Sequence, residues 1–258
     1  MISTQHQVAL ITGAGSGIGK ACARRFAITG ARTVITDINP LALQTVADQV
    51  TAAKGNVLAL VADVSQASAC EQVAQQALSA WGRIDMLVAN AGVQIGGGLL
   101  EADEGDWERI LAVNLKGVAY CCKAVIPAML RQGSGSIVVV SSVNALVGSA
   151  GMAIYDMSKA GVLALMRSLA TEFGQRGIRV NAVCPGNTLT DFHVEKMAQK
   201  GVSVEQIREM TSGYGLLGRI AEPDEIANAI YFLASDQASF ISGHALVVDG
   251  GFSVTGRA

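Results

Sequence analysis

The sequence predicts an α/β fold in which a doubly wound, mainly parallel seven-stranded sheet carries helices on both faces. Short apolar segments typical of buried strands alternate with longer helical patterns along the 258 residues. This alternation is typical of a parallel sheet that is covered on both sides. A glycine-rich turn joins the first strand to the first helix. Right-handed crossovers then place ligands at the carboxyl ends of the strands.

The elements are assigned from apolar periodicity. Strands are predicted near residues 8–12, 31–36, 57–61, 84–89, 136–140, 178–183 and 244–248, and helices near 20–28, 41–53, 66–80, 107–130, 152–173 and 223–233. Residues 190–218 break this rhythm. Their polar turns, at 196–200 and 205–208, predict a mobile helical flap over the site. Residues 1–258 are therefore expected to form one domain with this flap.

Composition excludes several classes of function. Half of the residues are apolar, 16% are charged and the net charge is −2, so no nucleic-acid partner is expected. No apolar run approaches the ~20 residues that span a bilayer. Residues 1–7 lack the basic and apolar regions of a signal peptide. The five cysteines show no C-x-x-C spacing, so we expect free thiols, no metal and a cytoplasmic location.

The glycine-rich turn predicts a phosphate site. An apolar strand leads into Thr12-Gly13-Ala14-Gly15-Ser16-Gly17-Ile18-Gly19, and a helical run follows. Glycines let the backbone approach an anion closely, and the N-terminus of the helix offers free N–H groups and a positive dipole end. The spacing is T-G-x-x-x-G-x-G, because Ile18 stands where the common dinucleotide motif has its last glycine.

A tyrosine and a lysine predict acid–base chemistry. Tyr155 and Lys159 are four residues apart, so on a helix they share one face. A cation held beside a phenol favours the phenolate and lowers its pKa from ~10 toward the working range. Ser142, thirteen residues before the tyrosine, supplies a hydroxyl that can steady a substrate oxygen. Taken alone, the Tyr-x-x-x-Lys spacing equally fits two surface side chains.

Together these motifs resemble the short-chain dehydrogenase/reductase family from Val8 to about Gly251. The resemblance implies a Rossmann-like fold and reversible hydride transfer between a secondary alcohol and a ketone, with a nicotinamide cofactor. One departure is Ala89, where many relatives have asparagine. Further segments match in the family's order: Asn90-Ala91-Gly92, Asn114, Pro185-Gly186 and Asp249-Gly250-Gly251.

The resemblance also implies roles for the catalytic residues. Tyr155 would be the general base in oxidation and the acid in reduction. Lys159 would lower the tyrosine pKa and bind the nicotinamide ribose. Ser142, chosen over Ser141 by its offset in the family, would hold the substrate oxygen. Asn114 would position a water that links Lys159 to solvent.

For the cofactor, NAD is expected rather than NADP. Asp37 ends the second strand eighteen residues after Gly19, where a carboxylate would bind the adenosine ribose and repel a 2′-phosphate. Ile38 and Ser16 stand where NADP-preferring relatives often carry a basic residue. Asp37 also competes for the role of helix N-cap, but a cap by Asn39, just before Pro40, would leave Asp37 free.

Two other assignments have structural alternatives. By resemblance, Asp63 and Val64 reach the adenine, but Asp63 is equally suited to cap a helix beginning near Gln66. Thr188 by its backbone and Thr190 by its hydroxyl would hold the nicotinamide carboxamide, although Thr190 is equally suited to cap a helix near Asp191. Thr12 is expected to bind backbone. The complete set of cofactor-binding residues comprises Gly13, Ser16, Gly17, Ile18, Gly19, Asp37, Ile38, Asp63, Val64, Asn90, Ala91, Gly92, Tyr155, Lys159, Pro185, Gly186, Thr188 and Thr190.

Substrate identity stays open at this stage. Gln94, Asn144, Asn187 and His193, together with Ser142, indicate a hydroxylated substrate such as a sugar, polyol or hydroxy acid. Each of the four is equally an ordinary loop residue, so a 3-oxoacyl thioester or a steroid remains an alternative. A noncatalytic NAD-sensing protein on the same fold is a further alternative. The resemblance implies a homo-oligomer, with a tetramer favoured over a dimer.

Overall fold

Seven parallel strands form one sheet in the computed structural model of the chain, which describes Thr4 and residues 6–255. The strand order is β3-β2-β1-β4-β5-β6-β7, so the direction of winding reverses between β1 and β4. Ligands bind at such a switch point in open α/β sheets. The predicted fold class is confirmed. The strands are β1 Val8–Thr12, β2 Arg32–Asp37, β3 Asn56–Val61, β4 Met86–Ala89, β5 Gly135–Val140, β6 Ile178–Pro185 and β7 Ala245–Val248.

Helices cover both faces of the sheet. On one face Val73, Val125 and Met166 belong to one buried cluster, and on the other Phe26 and Ile230 belong to a second. Burying a side chain of this size contributes about 1.5–3 kcal/mol, so the two clusters stabilise the scaffold that holds the strand ends. The helices are α1 Gly17–Ile28, α2 Pro40–Ala52, α3 Ala67–Trp81, α4 Glu104–Leu111, α5 Val118–Gln132, α6 Ala153–Phe173, α7 Asp191–Ala198, α8 Val204–Met210, α9 Pro223–Ala234 and α10 Phe252–Thr255.

The helix predicted over 107–130 begins earlier and is not uniform. It begins at Glu104, where Asp103 caps it in a reciprocal pair with Asp106, and a π-helical segment, Ala112–Gly117, joins α4 to α5. Asn114 lies in this segment and is fully buried. Segments of π-helix occur frequently at functional sites, because the wider turn re-aims a side chain. This irregularity has no signature in the apolar periodicity.

One helix among the described residues is long and apolar enough to cross a membrane. It is the 29-residue stretch Glu104–Gln132, with a mean hydropathy of 1.4. The sequence analysis found no apolar run of that length and did not single out this stretch. Core helices of proteins that do not span membranes meet the same criteria, and here Val118, Cys122 and Val125 are buried against the sheet.

Residues 190–218 contain α7 and α8, which bear out their predicted helical content. Ser203 caps α8 in a reciprocal pair with Gln206. Leu189, Ile207 and Ile220 form a small hydrophobic cluster under this segment, separate from the two large clusters. We call residues 190–218 the flap; its mobility stays a prediction.

The cysteines Cys22, Cys70, Cys121, Cys122 and Cys184 are all free and buried. Within Thr4 and residues 6–255 no group of three or more His, Cys, Asp or Glu side chains is arranged to hold a metal ion. The predicted lack of a signal peptide concerns residues 1–7, of which 1–3 and 5 lie outside the described residues.

Candidate active site

The carboxyl ends of β1 and β4 are tied together at the centre of the site. The Thr12 hydroxyl accepts hydrogen bonds from the backbone N–H groups of Asn90 and Ala91, at 3.1 and 3.0 Å. The Asn90 amide donates to the carbonyls of Thr12 and Gly13, at 2.9 and 3.1 Å. The structural role predicted for Thr12 is confirmed, and these bonds fix the glycine-rich turn against the neighbouring strand.

Glycine is required at two positions of that turn. Gly13 and Gly17 have φ values of +63° and +51°, which only glycine adopts readily. A Cβ atom on Gly13 would lie 2.8 Å from the Cα atom of Ala91, closer than any real contact. The turn therefore presents bare backbone at the N-terminus of α1.

A carboxylate from the flap occupies this helix N-terminus. The Gly17 N–H donates to Asp191 Oδ2 at 2.6 Å, and Lys20 Nζ donates to Oδ1 at 2.7 Å. Burial raises the pKa of Asp191, but the bonds from Lys20 and Gly17 outweigh it and hold the pKa below its usual value. The carboxylate oxygens stand in for phosphate oxygens, because both are anions that accept from free N–H groups at a positive dipole end. The turn thus fits the pyrophosphate of a dinucleotide.

Asp37, at the end of β2, faces the glycine turn. Its Oδ2 accepts from the Gly15 N–H and its Oδ1 from the Asn39 N–H, both at 2.9 Å. Asn39 caps α2, as predicted, by accepting from the N–H groups of Leu41 and Ala42. The expectation that a cap by Asn39 leaves Asp37 out of the N-cap role is confirmed, although the Asp37 carboxylate is engaged by the Gly15 N–H and braces the turn. Ser16 and Ile38 beside it are exposed.

Asp63 does not cap a helix. Its Oδ1 accepts from the Ser65 N–H at 2.9 Å, and α3 begins only at Ala67, after Gln66, without a side-chain cap. The alternative of an N-cap is therefore wrong. Val64 next to it is buried, with 8% of its surface exposed.

The predicted catalytic side chains converge at the ends of β4 and β5. Lys159 Nζ lies 5.8 Å from the centroid of the Tyr155 ring and donates to the Val140 carbonyl at 3.0 Å. A Cβ atom on Gly92 would lie 3.3 Å from both Lys159 Nζ and Asn114 Oδ1, so these two atoms meet over this glycine. One site therefore contains Tyr155, Lys159 and Asn114, although Asn114 and Lys159 are forty-five positions apart in the sequence.

The two neighbouring serines have different partners. Ser142 accepts at its hydroxyl from the Asn144 N–H at 3.1 Å. Ser141 turns the other way and donates to the Lys159 carbonyl at 2.8 Å. Ser141 is therefore committed to holding β5 against α6, and Ser142 is the hydroxyl on the side of Tyr155.

Burial dominates the protonation of the tyrosine–lysine pair. It lowers the pKa of Lys159 to about 8. It raises the pKa of Tyr155; a hydrogen bond with Ser142 acts in the opposite direction, and the charge of Asp156 raises it further. In the chain without its cofactor the pKa of Tyr155 therefore lies above its ordinary value, and the lowering expected from Lys159 stays a prediction. The Lys159 ammonium is bound to the Val140 carbonyl and is itself destabilised by burial.

Asn114 is fully engaged by protein. Its Oδ1 accepts from the Val93 N–H at 2.8 Å, and its Nδ2 donates to the Val93 carbonyl at 2.9 Å and to Ser158 Oγ at 3.1 Å. Both of its amide protons are used, so the side chain braces the segment after β4. Its link to a water molecule stays a prediction.

The segment after β6 is shaped by close packing. A Cβ atom on Gly186, which follows Pro185, would lie 2.8 Å from Asp249, so glycine is required there. Thr188 donates its hydroxyl to the Gly186 carbonyl at 3.0 Å. Thr190 precedes α7 but caps no backbone N–H; its hydroxyl instead meets His193 Nδ1 at 3.0 Å. Thr190 thus occupies the N-cap position of α7, as the alternative had it, but its side chain makes no capping hydrogen bond.

His193 supports this segment rather than a substrate cavity. Its Nδ1 also lies 2.9 Å from the Thr188 carbonyl oxygen. Burial lowers its pKa, which favours the neutral ring. Gln94 is exposed, and neither residue borders the cavity described next.

A cavity of about 430 Å³ lies between the loop after Ser142 and the flap. Two of the predicted substrate residues, Asn144 and Asn187, line it. Tyr214 and Phe252, which the sequence analysis missed, stack with their ring centroids 4.8 Å apart. The remaining lining residues are Ser149, Met210, Thr211, Ser212 and Gly213, so none of the described residues around it is charged.

A doubly wound parallel sheet with an anion-binding turn at its switch point defines a dinucleotide-binding protein. Comparison with known proteins narrows this class. A family model described as enoyl-(acyl carrier protein) reductase matches residues 13–253. The chain is 40% identical, over 97% of its length and 98% of the relative, to (2S)-[(R)-hydroxy(phenyl)methyl]succinyl-CoA dehydrogenase subunit BbsD of Thauera aromatica.

A second relative is meso-2,3-butanediol dehydrogenase of Serratia marcescens, with 40% identity over 95% of this chain and 94% of that one. Among solved structures, 7α-hydroxysteroid dehydrogenase complexed with NADH and 7-oxo glycochenodeoxycholic acid superimposes with a TM-score of 0.88 and 34% identity, over 96% of this chain and 95% of that one. The chain belongs to the short-chain dehydrogenase/reductase family of nicotinamide-dependent oxidoreductases.

Proposed function

We propose that the protein is an NAD-dependent dehydrogenase that interconverts a secondary alcohol and a ketone. The observation that carries this proposal is the meeting of Tyr155, Lys159 and Ser142 beside a turn that binds an anion. The bound nicotinamide would supply the hydride acceptor or donor. Tyr155 would take up the alcohol proton or return it, and Ser142 would donate to the substrate oxygen as charge develops on it.

The other residues hold the reactants in place. The glycine turn, with Gly17 at the N-terminus of α1, would bind the pyrophosphate. Asp63, Val64, Asn90 and Ala91 lie along the same edge and would bind the adenosine half. Gly92 lets Lys159 and Asn114 approach the nicotinamide ribose, and the backbone at Pro185–Gly186 with Thr188 and Thr190 would hold the carboxamide.

NAD rather than NADP is the proposed cofactor. The carboxylate of Asp37 ends β2 beside the glycine turn, and Ser16 and Ile38 provide no positive charge there. A 2′-phosphate would lie against this carboxylate without a cation to offset the repulsion.

For the substrate we propose a neutral, hydroxylated compound such as a polyol or sugar. The cavity is lined by amides, hydroxyls and a stacked aromatic pair, with no charged side chain among its described residues. A carboxylate would enter it without an ionic partner, which disfavours hydroxy acids. The thioester name of one relative and the steroid in one neighbouring structure keep those classes in the test panel.

The proposal includes the state of the chain as well as its chemistry. We propose a single-domain protomer with the flap closing over the cavity, a cytoplasmic location and a homotetramer. Light scattering of the purified protein tests the assembly, and a monomeric mass would contradict it.

The experiment that tests the proposed function is NADH formation across a panel of polyols, sugars, hydroxy acids, 3-hydroxyacyl thioesters and steroids. Tyr155→Phe is expected to lower turnover by ~10²–10⁴-fold, the usual scale for a general acid–base group, with NADH binding retained. Tyr120→Phe on α5 is the matched control. Turnover that survives in Tyr155→Phe would remove the assignment, and NAD binding without turnover across the panel would favour the noncatalytic alternative.

A further inference from the structure

One carboxylate joins the loop after Ser142 to the helix that carries Tyr155. Asp156 Oδ1 accepts from Asn144 Nδ2 at 2.8 Å, and Asp156 Oδ2 accepts from the backbone N–H of Ser149 at 3.0 Å. Asp156 directly follows Tyr155 on α6 and is half-buried. The carboxylate therefore binds two points of this loop and fixes the loop relative to the tyrosine.

This contact also decides which way the Asn144 amide points. An ionised carboxylate only accepts hydrogen bonds, so the nitrogen of the amide must face Asp156. The oxygen, Oδ1, is then turned away from Asp156, and among the described residues no donor is bonded to it. Asn144 lines the cavity, and its backbone N–H donates to Ser142 Oγ at 3.1 Å. The residue that carries this oriented acceptor, Asn144, is thus hydrogen-bonded to Ser142, whose hydroxyl we assign to the reacting oxygen of the substrate.

We propose that Asp156 is a positioning residue that presents Asn144 Oδ1 to a second hydroxyl of the substrate, on the carbon next to the one that reacts. This inference rests on the proposed function and narrows its substrate to vicinal diols and polyols. The hydroxyl that reacts accepts from Ser142, and the neighbouring hydroxyl donates to Asn144. Ser142 and Asn144 are two residues apart on one loop, which suits two oxygens on adjacent carbons.

The same geometry gives selectivity against simple alcohols. A monoalcohol leaves the Asn144 acceptor without a partner inside a cavity that the substrate has partly closed to water. An unmade hydrogen bond of this kind lowers the specificity constant by about tenfold, and by more as the site becomes drier. Asn187 and Ser149, which also line the cavity, remain available to further hydroxyls of a longer polyol.

The test compares matched alcohols with the purified chain and NAD. The pairs are butane-2,3-diol against butan-2-ol and cyclohexane-1,2-diol against cyclohexanol, each measured as kcat/KM. The wild-type protein is expected to prefer the diol of at least one pair by about tenfold. Asn144→Ala should bring the ratio of kcat/KM for the diol to kcat/KM for the monoalcohol close to one. The value of kcat/KM for the monoalcohol should change little, because only the second hydroxyl of the diol has lost its partner.

Asp156→Asn keeps the size of the side chain but removes the charge that forces the Asn144 orientation. It should lower the diol preference as well, with NADH affinity and melting temperature unchanged. Gln75→Ala removes an exposed amide on α3, which does not border the cavity, and should leave the ratio as in the wild type. If Asp156 had only a structural role, Asp156→Asn would lower kcat/KM equally for both alcohols of a pair.

Two results overturn the inference in distinguishable ways. If both alcohols of each pair are oxidised with equal efficiency, or if the preference survives in both Asn144→Ala and Asp156→Asn, the positioning role is wrong and the dehydrogenase stands. If neither alcohol class nor any other compound of the wider panel yields NADH, the proposed function fails and the inference fails with it.

Discussion

The two sides of the site are built differently. On the cofactor side, Thr12, Asn90 and Asp37 bind backbone atoms of neighbouring strand ends, over a core that includes Val34 and Leu87 with no exposed surface. On the substrate side, the flap rests on the small cluster of Leu189, Ile207 and Ile220, each 6–8% exposed. Regions with few buried apolar contacts open at lower free-energy cost than the core does. We therefore expect one scaffold to combine a rigid cofactor side with a more adaptable substrate side, formed by the flap.

The largest expected effect is a loss of turnover at Ser142 that its neighbour Ser141 does not share. Ser142→Ala should lower turnover by about 10²–10³-fold, as for the loss of one oxyanion donor, and should also cost about 1 kcal/mol of unfolding free energy, because the Asn144 N–H loses its acceptor. Ser141→Ala should retain turnover but cost about 1 kcal/mol of unfolding free energy, because its buried bond to the Lys159 carbonyl is lost. Steady-state kinetics and urea unfolding of both variants measure the split. Equal losses of turnover in the two variants would show that the assignment of Ser142 over Ser141 is wrong.

The second prediction concerns the buried lysine where the two sides meet. The pKa of Lys159 is about 8 in the folded chain, against an ordinary 10.5. Between these pH values the unfolded chain binds more protons, so this group makes the free energy of unfolding rise with pH across that window. Below pH 8 its buried charge destabilises the fold. Lys159→Met should therefore raise the unfolding free energy at pH 7 by about 1–2 kcal/mol, net of the lost bond to Val140, while abolishing turnover.

That gain should shrink as the pH is raised from 8 to 10.5, because in this window the lysine is neutral in the folded chain and still protonated in the unfolded chain, which raises the unfolding free energy of the wild type. Urea unfolding at pH 7 and at pH 10 measures it. Lys123→Met on the exposed side of α5 is the control and should show no such pH dependence. A Lys159→Met variant that is less stable at pH 7 would mean that the hydrogen bond to the Val140 carbonyl outweighs the cost of burying the charge.

The third prediction tests cofactor choice on the rigid side. Asp37→Ala should weaken NAD binding by about tenfold and narrow its preference over NADP, because the ribose loses an acceptor and a 2′-phosphate loses a repulsive neighbour. Fluorescence titration with NADH and NADPH measures both affinities. Asp48→Ala on the exposed face of α2 is the control. An unchanged preference would place cofactor selection elsewhere.

The cofactor side and the substrate side also differ in how well the sequence alone predicts them. Asn39 and Thr12 are assigned correctly because their partners lie nearby in the chain or at the end of an adjacent strand of a known topology. For Asp63 the alternative of a helix cap is wrong because a short turn, which leaves no apolar signature, separates it from α3. The raised pKa of Tyr155 is missed because its main cause is burial, which no spacing of residues reports.

The residues that line the substrate cavity are the least predictable part of the site. Tyr214 and Phe252 are far apart in the sequence and meet only because the flap folds back onto the residues after β7. Asn144 and Asn187 are found because they stand close to motifs, whereas Asp156 sits inside the Tyr155–Lys159 motif and its bonds to the preceding loop show only in three dimensions.

The smallest expected effect concerns a contact between the flap and the glycine-rich turn. Asp191 of the flap fills the N-terminus of α1, where we place the pyrophosphate. Two anions cannot share the Gly17 N–H, so NAD must displace this carboxylate. Asp191→Asn removes the competing charge and should tighten NADH binding by about threefold, within the range of a single helix-dipole interaction. Asp224→Asn, which removes a carboxylate paired with Arg24 farther along the same helix, is the matched control.

The sign of this change is informative beyond its size. Tighter binding, with faster proteolysis within the flap of the free variant, would show that the carboxylate holds the flap down until the cofactor arrives. Weaker binding would instead mean that the pair of Lys20 and Asp191 belongs to the bound state and orders the flap over the cofactor. In that second case the flap and the glycine turn act as one unit. The rigid side of the site would then include α7, and the adaptable side would begin after it.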